Sequence, residues 1–128
     1  MLQLTKAEEQ LMRILWELKQ ATVQQVLEKF TASKPARTTV ATILSILENK
    51  GFVEHENQGK VNIYHTMVSK EAYSKSQLSG ILSNYFNNSF ASMASFFARE
   101  NNISIEELDL LLEETRAELR KETKKRKS

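Results

Sequence analysis

The hydrophobic period of this sequence changes twice along the chain, and this change restricts the possible folds more than any other feature does. Apolar residues first recur at helical spacing in three successive segments, which are residues 6–18, 23–30 and 36–49. Residues 52–56 and 61–67 then alternate as β-strands do, with turn-forming residues 57–60 between them. Helical spacing returns after residue 69. The first half of the chain is therefore predicted to form three helices followed by a β-hairpin.

Local signals support the predicted helix boundaries. A capping box, in which Thr or Ser is followed three residues later by Glu or Gln, satisfies free N–H groups at a helix start. Gly51 follows the third helix at the position where a left-handed residue commonly ends a helix. The three capping boxes are Thr5 with Glu8, Thr22 with Gln25 and Ser104 with Glu107.

A broad apolar stripe, rich in aromatic residues, follows the hairpin. It predicts a helix over residues 70–99, which residues 87–89 could bend, and a last helix over residues 105–122. Two helices without a strand cannot bury such a surface alone. It must pack either on the N-terminal domain or on a second copy, and its continuity favours a homodimer. The residues predicted to form the dimer are Leu82, Tyr85, Phe86, Phe90, Met93, Phe97, Leu108, Leu111 and Leu112.

Charge is unevenly distributed, which indicates parts with different surfaces. Residues 1–70 hold 9 basic and 7 acidic residues, residues 71–119 hold 3 and 8, and residues 120–128 hold 6 and 1. The middle stretch is thus acidic, whereas the C-terminal end is strongly basic. We expect a first domain over residues 1–68, a helical dimerisation region over residues 69–122 and a basic tail over residues 123–128.

Composition excludes several classes of function. Because the chain has no cysteine, it has no disulfide, no thiol catalysis and no cysteine metal site. His55 and His65 alone would make a poor zinc site, and no phosphate-binding loop or nucleophile motif occurs. No apolar stretch approaches the ~20 residues of a membrane-spanning helix. We therefore expect a cytoplasmic protein that is not an enzyme, needs no cofactor or metal and does not insert into the membrane.

Three helices followed by a two-stranded hairpin predict a winged helix-turn-helix domain, so the fold class is mainly α with a small β-hairpin and a C-terminal helical region. The third helix of such a domain can lie in the major groove of DNA. Residues 37–46 contain no acidic residue and are rich in Thr and Ser, as a surface that faces phosphates requires. The candidate DNA-binding residues are Arg37, Thr38, Ala41, Thr42 and Ser45, with Asn49 and Lys50 at the far end of the helix and Lys60 at the hairpin tip.

The alternative is a winged-helix module that binds only proteins, in which the polar face of the third helix is simply solvated. Such a module would bind no DNA and would tolerate acidic substitutions on that face.

Several short motifs occur in a fixed order. They are Leu4-Thr5-Lys6-Ala7-Glu8, Ile14-Leu15-Trp16, Thr38-Thr39-Val40-Ala41-Thr42, Leu47-Glu48-Asn49-Lys50-Gly51-Phe52 and Tyr64-His65. In these motifs the chain resembles the penicillinase and methicillin-resistance repressors of the BlaI/MecI type. The resemblance implies a homodimeric bacterial repressor that binds a palindromic operator. By position it places Arg37, Thr38, Thr39, Ala41 and Thr42 at or near DNA, although family members can carry a basic residue where this chain has Ala41.

The resemblance also bears on how repression is relieved. Antibiotic-responsive members are cut within their C-terminal helices, usually between Asn and Phe, after a membrane sensor protease signals. The matching pair here is Phe96-Phe97, so cleavage at this bond is one hypothesis and a place in the dimer core is the favoured one. Relief by a small ligand or by another protein stays open. Copper-responsive members carry C-terminal cysteines, which this chain lacks.

Overall fold

The computed structural model describes residues 3–127, with side chains through Lys125. Residues 1, 2 and 128, which belong to the expected first domain and basic tail, lie outside the described part, as do the side chains of residues 126 and 127. The helices are α1 (Lys6–Leu18), α2 (Val23–Glu28), α3 (Arg37–Asn49), α4 (Lys70–Tyr85), α5 (Phe90–Glu100) and α6 (Ile105–Lys127). The strands are β1 (Gln20–Ala21), β2 (Val53–Gln58) and β3 (Val61–Thr66).

Contacts divide the chain into two compact units, residues 1–78 and residues 79–128. The first unit contains the three helices and the hairpin, so the predicted fold class is confirmed. It also includes the first half of α4, which extends it past residue 68, the boundary expected from the sequence.

The core of the first unit is built on the apolar faces of α1 and α3. Side chains at helical spacing on each helix turn toward the same interior, and the apolar residues of the hairpin close it. The largest fully buried side chains are Phe52, Leu11, Met12, Leu15, Leu44, Leu47, Val26, Val40 and Val53.

The sheet has three antiparallel strands in the order β1-β3-β2. The hairpin of β2 and β3 is confirmed, and its turn contains Gly59 at a φ of +68°. No sequence pattern predicted β1, because two residues are too few to display an alternating pattern. Ala21 of β1 pairs with Tyr64 and is fully buried, so the segment between α1 and α2 adds a short strand to the sheet beside β3.

The end of α3 turns the chain into the hairpin. Gly51 has a φ of +83°, its N–H donates to Glu48 O, and the N–H of Phe52 donates to Leu47 O at 2.9 Å. These two bonds form a Schellman motif, and the buried Phe52 ring supplies its usual apolar contact. The predicted role of Gly51 is confirmed.

The predicted single helix over residues 70–99 is wrong, because the chain forms two helices that are separated at the residues expected to allow a bend. α4 ends at Tyr85 and α5 begins at Phe90, because Asn87 and Asn88 adopt left-handed backbone angles of +50° and +61°. Asn accepts this conformation more readily than most residues do. Ser89 then caps α5, since its hydroxyl accepts the N–H of Ser92 at 3.1 Å.

The last helix is longer than predicted. α6 continues to Lys127, through residues expected to form the basic tail, because its last turns are rich in good helix formers and contain no Gly or Pro. Its first turn begins as predicted, with the Ser104 hydroxyl accepting the N–H of Glu107 at 3.1 Å.

Replacing a core leucine of α3 should destabilise the first unit. Leu44 is 0% exposed, so Leu44→Ala should lower the free energy of unfolding by about 2–5 kcal/mol through lost burial and a cavity. Urea denaturation followed by circular dichroism measures this change. Ile46→Ala is the matched control, because Ile46 lies on the same helix and is 39% exposed; equal losses in the two variants would contradict the packing of α3.

Candidate nucleic-acid interface

α3 presents two distinct faces. Val40, Leu44 and Leu47 are fully buried, and the opposite face is polar and open to solvent. On that face and its flanks, the side chains of Arg37, Thr38, Thr39, Thr42 and Ser45 are exposed and Ala41 is half-buried.

The hydroxyl of Thr42 already has a partner within the helix. Its Oγ1 donates to the carbonyl oxygen of Thr38 at 2.9 Å. The hydroxyl proton is therefore used internally, whereas the oxygen can still accept a bond and the methyl group is free for apolar contact. Such a side chain suits contact with a base amino group or a thymine methyl group.

The beginning of α3 has no side-chain cap. Its N-cap residue is Ala36, which has no oxygen to accept the N–H groups of the first turn, whereas Thr5 and Thr22 cap α1 and α2. The first turn of α3 also contains no acidic residue. An uncapped helix start of this kind favours an anion such as phosphate through its N–H groups and its dipole.

Arg37, the first residue of α3, is held by a side chain of α2. Its Nη1 donates to Oε1 of Gln24 at 2.8 Å. The sequence patterns did not single out Gln24, because a polar residue near the start of an amphipathic helix is ordinarily just solvated.

The far end of α3 is anchored to α1 by an ion pair. The sequence placed Lys50 at the DNA-facing end of the helix, but its Nζ donates to both carboxylate oxygens of Glu8, at 2.6 and 2.9 Å. Glu8 is 4% exposed and also accepts the backbone N–H of Thr5 at 2.9 Å, as the predicted capping box requires. The ammonium of Lys50 is thus engaged with α1.

Opposing effects act on the pKa of Glu8. Burial raises the pKa of this carboxyl, but hydrogen bonds from Lys50 and Thr5 and the positive charge of Lys50 outweigh burial and lower it below its ordinary value. Glu8 is therefore a buried carboxylate that stays charged because its partners are in place.

The wing carries Lys60 at its tip, where the side chain is exposed. At the base of the wing, Nδ1 of His55 lies 2.5 Å from Oε1 of Glu48, which joins β2 to α3. Nε2 of His65 lies 3.7 Å from Oε2 of Glu54. Each histidine therefore has its own glutamate partner.

Thr39 lies at the edge of the polar face. It lines a cleft of about 510 Å³ together with Ile43 of α3, Leu11 of α1 and the segment that joins α2 to α3. The resemblance implied a place at or near DNA for this residue; its side chain is exposed on a flank of the helix rather than at the centre of the polar face.

The residues predicted to form the dimer lie on α4, α5 and α6, except Phe86, which lies between α4 and α5. Each of them has solvent access within a single chain, since no described residue from Ser79 to Lys125 is buried. The rings of Phe86 and Phe96 contact each other at a centroid distance of 5.7 Å. The half-buried members are Leu82, Phe86, Met93 and Leu108, and the exposed ones are Tyr85, Phe90, Phe97, Leu111 and Leu112. Phe96, the first residue of the hypothetical cleavage pair, is also exposed.

Residues 3–127 contain no cluster of three or more His, Cys, Asp or Glu side chains placed to hold a metal ion. Within the same range, no helix has both the length and the apolar character needed to cross a membrane.

Comparison with known proteins identifies the family. The sequence profile described as penicillinase repressor matches residues 4–117, nearly the whole chain. The chain belongs to the penicillinase repressor family. The penicillinase repressor of Bacillus licheniformis is 24% identical over 110 residues, which cover 85% of this chain and 86% of that protein. The methicillin resistance regulatory protein MecI of Staphylococcus aureus is 23% identical over 110 residues, 85% of this chain and 89% of that protein.

A solved structure supports the fold of the first unit. The solution structure of the DNA-binding domain of the repressor BlaI is similar, with a TM-score of 0.50 and 25% identity, and the match covers 56% of this chain and 88% of that one. The first unit of this family member thus has a winged-helix fold. The two similar proteins are a repressor and a regulatory protein, in agreement with the prediction that the chain is not an enzyme.

Removing the charge of Glu8 should destabilise the first unit in a pH-dependent way. Glu8→Gln should cost about 2 kcal/mol at neutral pH, the scale of a hydrogen bond to a charged group. Because the folded-state pKa of Glu8 lies below its ordinary value of 4.5, the carboxylate contributes stability that is fully present above pH 4.5 and is lost as the pH falls through the lowered pKa.

Urea denaturation of parent and variant over a pH series measures this difference. The gap in the free energy of unfolding should be widest at neutral pH and shrink in acid. Glu56→Gln serves as the control because Glu56 is exposed on β2, and its gap should stay near zero throughout. A Glu8→Gln gap that is constant across the series would show that the ion pair does not carry the effect.

Proposed function

We propose that this protein is a homodimeric bacterial transcriptional repressor that binds a palindromic operator with α3 in the major groove. The observation that carries the proposal is the polar face of α3, which has no carboxylate over residues 37–46 and begins at an uncapped helix start. Family membership and the name of the similar solved domain, the DNA-binding domain of the repressor BlaI, support the same conclusion. Because operator DNA lies in the cytoplasm of a bacterium, the protein would act there.

The roles that we assign to residues follow from where their side chains lie. Thr38, Thr42 and Ser45 are exposed along successive turns of α3 and would face bases, with Ala41 beside them at the groove surface. The charges of Arg37 and Lys60 lie at the helix start and the wing tip, and they would contact the phosphates that flank the groove. Thr39, on the flank of the helix, would lie near the backbone.

Dimerisation through the second unit is supported by its unburied apolar surface. Exposed large side chains include Tyr85 (78% exposed), Phe97 (59%) and Leu111 (47%), whereas monomers rarely expose contiguous apolar patches of this kind. A second copy of the chain would cover them. Two winged helices in one dimer would then read half-sites about 34 Å apart, one turn of DNA, or a multiple of that spacing.

Relief of repression would act on the same surface. Phe96 and Phe97 lie within α5 and contribute exposed rings to the proposed interface, so their primary role is in the dimer. A membrane sensor protease is the partner that the family resemblance implies. Cleavage between Phe96 and Phe97 would require local unwinding of α5 and would remove the interface, and with it the operator-binding dimer.

An acidic residue in the proposed groove contact should abolish operator binding. Thr42→Glu places a carboxylate on the polar face of α3 opposite DNA phosphates, a repulsion worth several kcal/mol, while Glu is a good helix former and should leave folding intact. Fluorescence anisotropy with a palindromic promoter duplex and a random duplex, over a salt series, measures the loss.

Thr123→Glu is the matched control, because the Thr123 hydroxyl also donates to the carbonyl four residues earlier, at 2.9 Å, but lies on α6. It should retain operator affinity. Equal affinities for the Thr42→Glu variant and the parent would rule out the groove contact. The absence of salt-dependent binding by the parent would favour the module that binds only proteins.

Charging the apolar surface of α5 should dissociate the dimer. Phe97→Asp should give monomers whose first unit stays folded, because Phe97 lies in the second unit and the first unit has its own buried core. Light scattering with size-exclusion chromatography measures the mass, which should fall from that of a dimer to that of one chain. Ser95→Asp, an exposed position two residues away on the same helix, should remain dimeric. A monomeric parent would refute the dimer.

A further inference from the structure

We propose that Gln24 of α2 is a positioning residue for Arg37. Its side chain restrains the Arg37 guanidinium in an orientation that can contact operator DNA. This inference rests on the proposed function, because it takes Arg37 to contact the operator. It assigns a role in recognition to a residue that lies outside the recognition helix.

A hydrogen bond connects the starts of α2 and α3, the two helices of the helix-turn-helix. Gln24 is the second residue of α2, and Arg37 is the first residue of α3. Oε1 of Gln24 accepts Nη1 of Arg37 at 2.8 Å, and Nε2 of the same amide lies 3.5 Å from Oε1 of Glu28, one turn later in α2. All three side chains are exposed, so this chain of contacts is accessible from solvent.

The chemistry of the three groups fixes the orientation of the amide. A guanidinium only donates hydrogen bonds, a carboxylate only accepts them, and an amide does both at different ends. Glu28 therefore takes the NH₂ end of Gln24, and Arg37 takes the oxygen. Because a single guanidinium N–H is used, the remaining donors of Arg37 stay available for a phosphate, or for the O6 and N7 atoms of guanine.

Because its amide is neutral, Gln24 can hold Arg37 in place without cancelling the charge of the guanidinium. A carboxylate at this position would form an ion pair with Arg37 and cancel the charge that attracts DNA. The amide instead separates Glu28 from Arg37 and restrains the guanidinium without neutralising it. Arg37 thus reaches DNA with its full charge and with less side-chain freedom to lose on binding.

The test is a double-mutant cycle on operator affinity, measured by fluorescence anisotropy over a salt series with the full chain. Gln24→Ala should weaken operator binding about 2- to 10-fold, the cost of ordering one long side chain, with an unchanged salt slope. Gln24→Glu should weaken it further and should lower the slope of log affinity against log salt by about one, because one positive charge is cancelled. In an Arg37→Ala background, Gln24→Ala should have no further effect.

A neighbouring glutamine separates positioning from folding. Gln25 completes the capping box of α2, so Gln25→Ala should lower the melting temperature, and any effect on affinity should be the same with or without Arg37. Gln24→Ala should leave the melting temperature unchanged. Independent, additive effects of Gln24→Ala and Arg37→Ala, or an unchanged affinity in Gln24→Ala, would overturn the positioning role. Failure of the parent to bind any duplex would instead refute the proposed function, and the positioning role with it.

Discussion

The first unit depends on the ion pair between Glu8 and Lys50. Glu8 takes part in the capping box of its own helix with Thr5 and also accepts hydrogen bonds from the ammonium of Lys50, the residue that follows α3. A carboxylate that is 4% exposed would be costly without this partner, because burying an unpaired charge is strongly unfavourable. The pair therefore ties the start of α1 to the end of α3. Together with the buried apolar face of α3, it holds the opposite, polar face outward.

Two further polar contacts connect α1 to the start of α4 and to the residues just before it. The indole N–H of Trp16 donates to the carbonyl of Val68 at 2.9 Å, and the hydroxyl of Tyr73 donates to Glu9 at 3.2 Å. The Tyr73 ring is buried against Trp16 and Phe52, with centroid distances of 5.8 and 5.9 Å. Burial and the bond to Glu9 raise the pKa of the Tyr73 hydroxyl, which stays a donor over the ordinary pH range. The first turns of α4 are thus part of the first unit, which explains why that unit extends past residue 68.

Features of this fold that depend on neighbours in sequence were predictable. The capping boxes at Thr5 and Thr22, the helix end at Gly51 and the hairpin each follow from a few adjacent residues. Features that depend on distant partners were not: the pairing of Lys50 with Glu8 joins positions 42 residues apart, and nothing in the local pattern of Gln24 points to Arg37. The break between α4 and α5 arises from two left-handed asparagines that interrupt an otherwise uniform apolar stripe. The sequence pointed to a possible bend at residues 87–89, but hydrophobic periodicity carries no information on backbone angles and therefore did not predict two separate helices.

The lack of burial in the second unit has a thermodynamic consequence. Helices gain most of their stability from packing an apolar face, and from Ser79 to Lys125 a single chain buries none of its described residues. In the proposed dimer, the stability that comes from association obeys mass action, so it decreases as the protein concentration decreases. Dilution alone would then unfold the helices of the second unit. The winged-helix unit, which has its own core, would keep its stability on dilution.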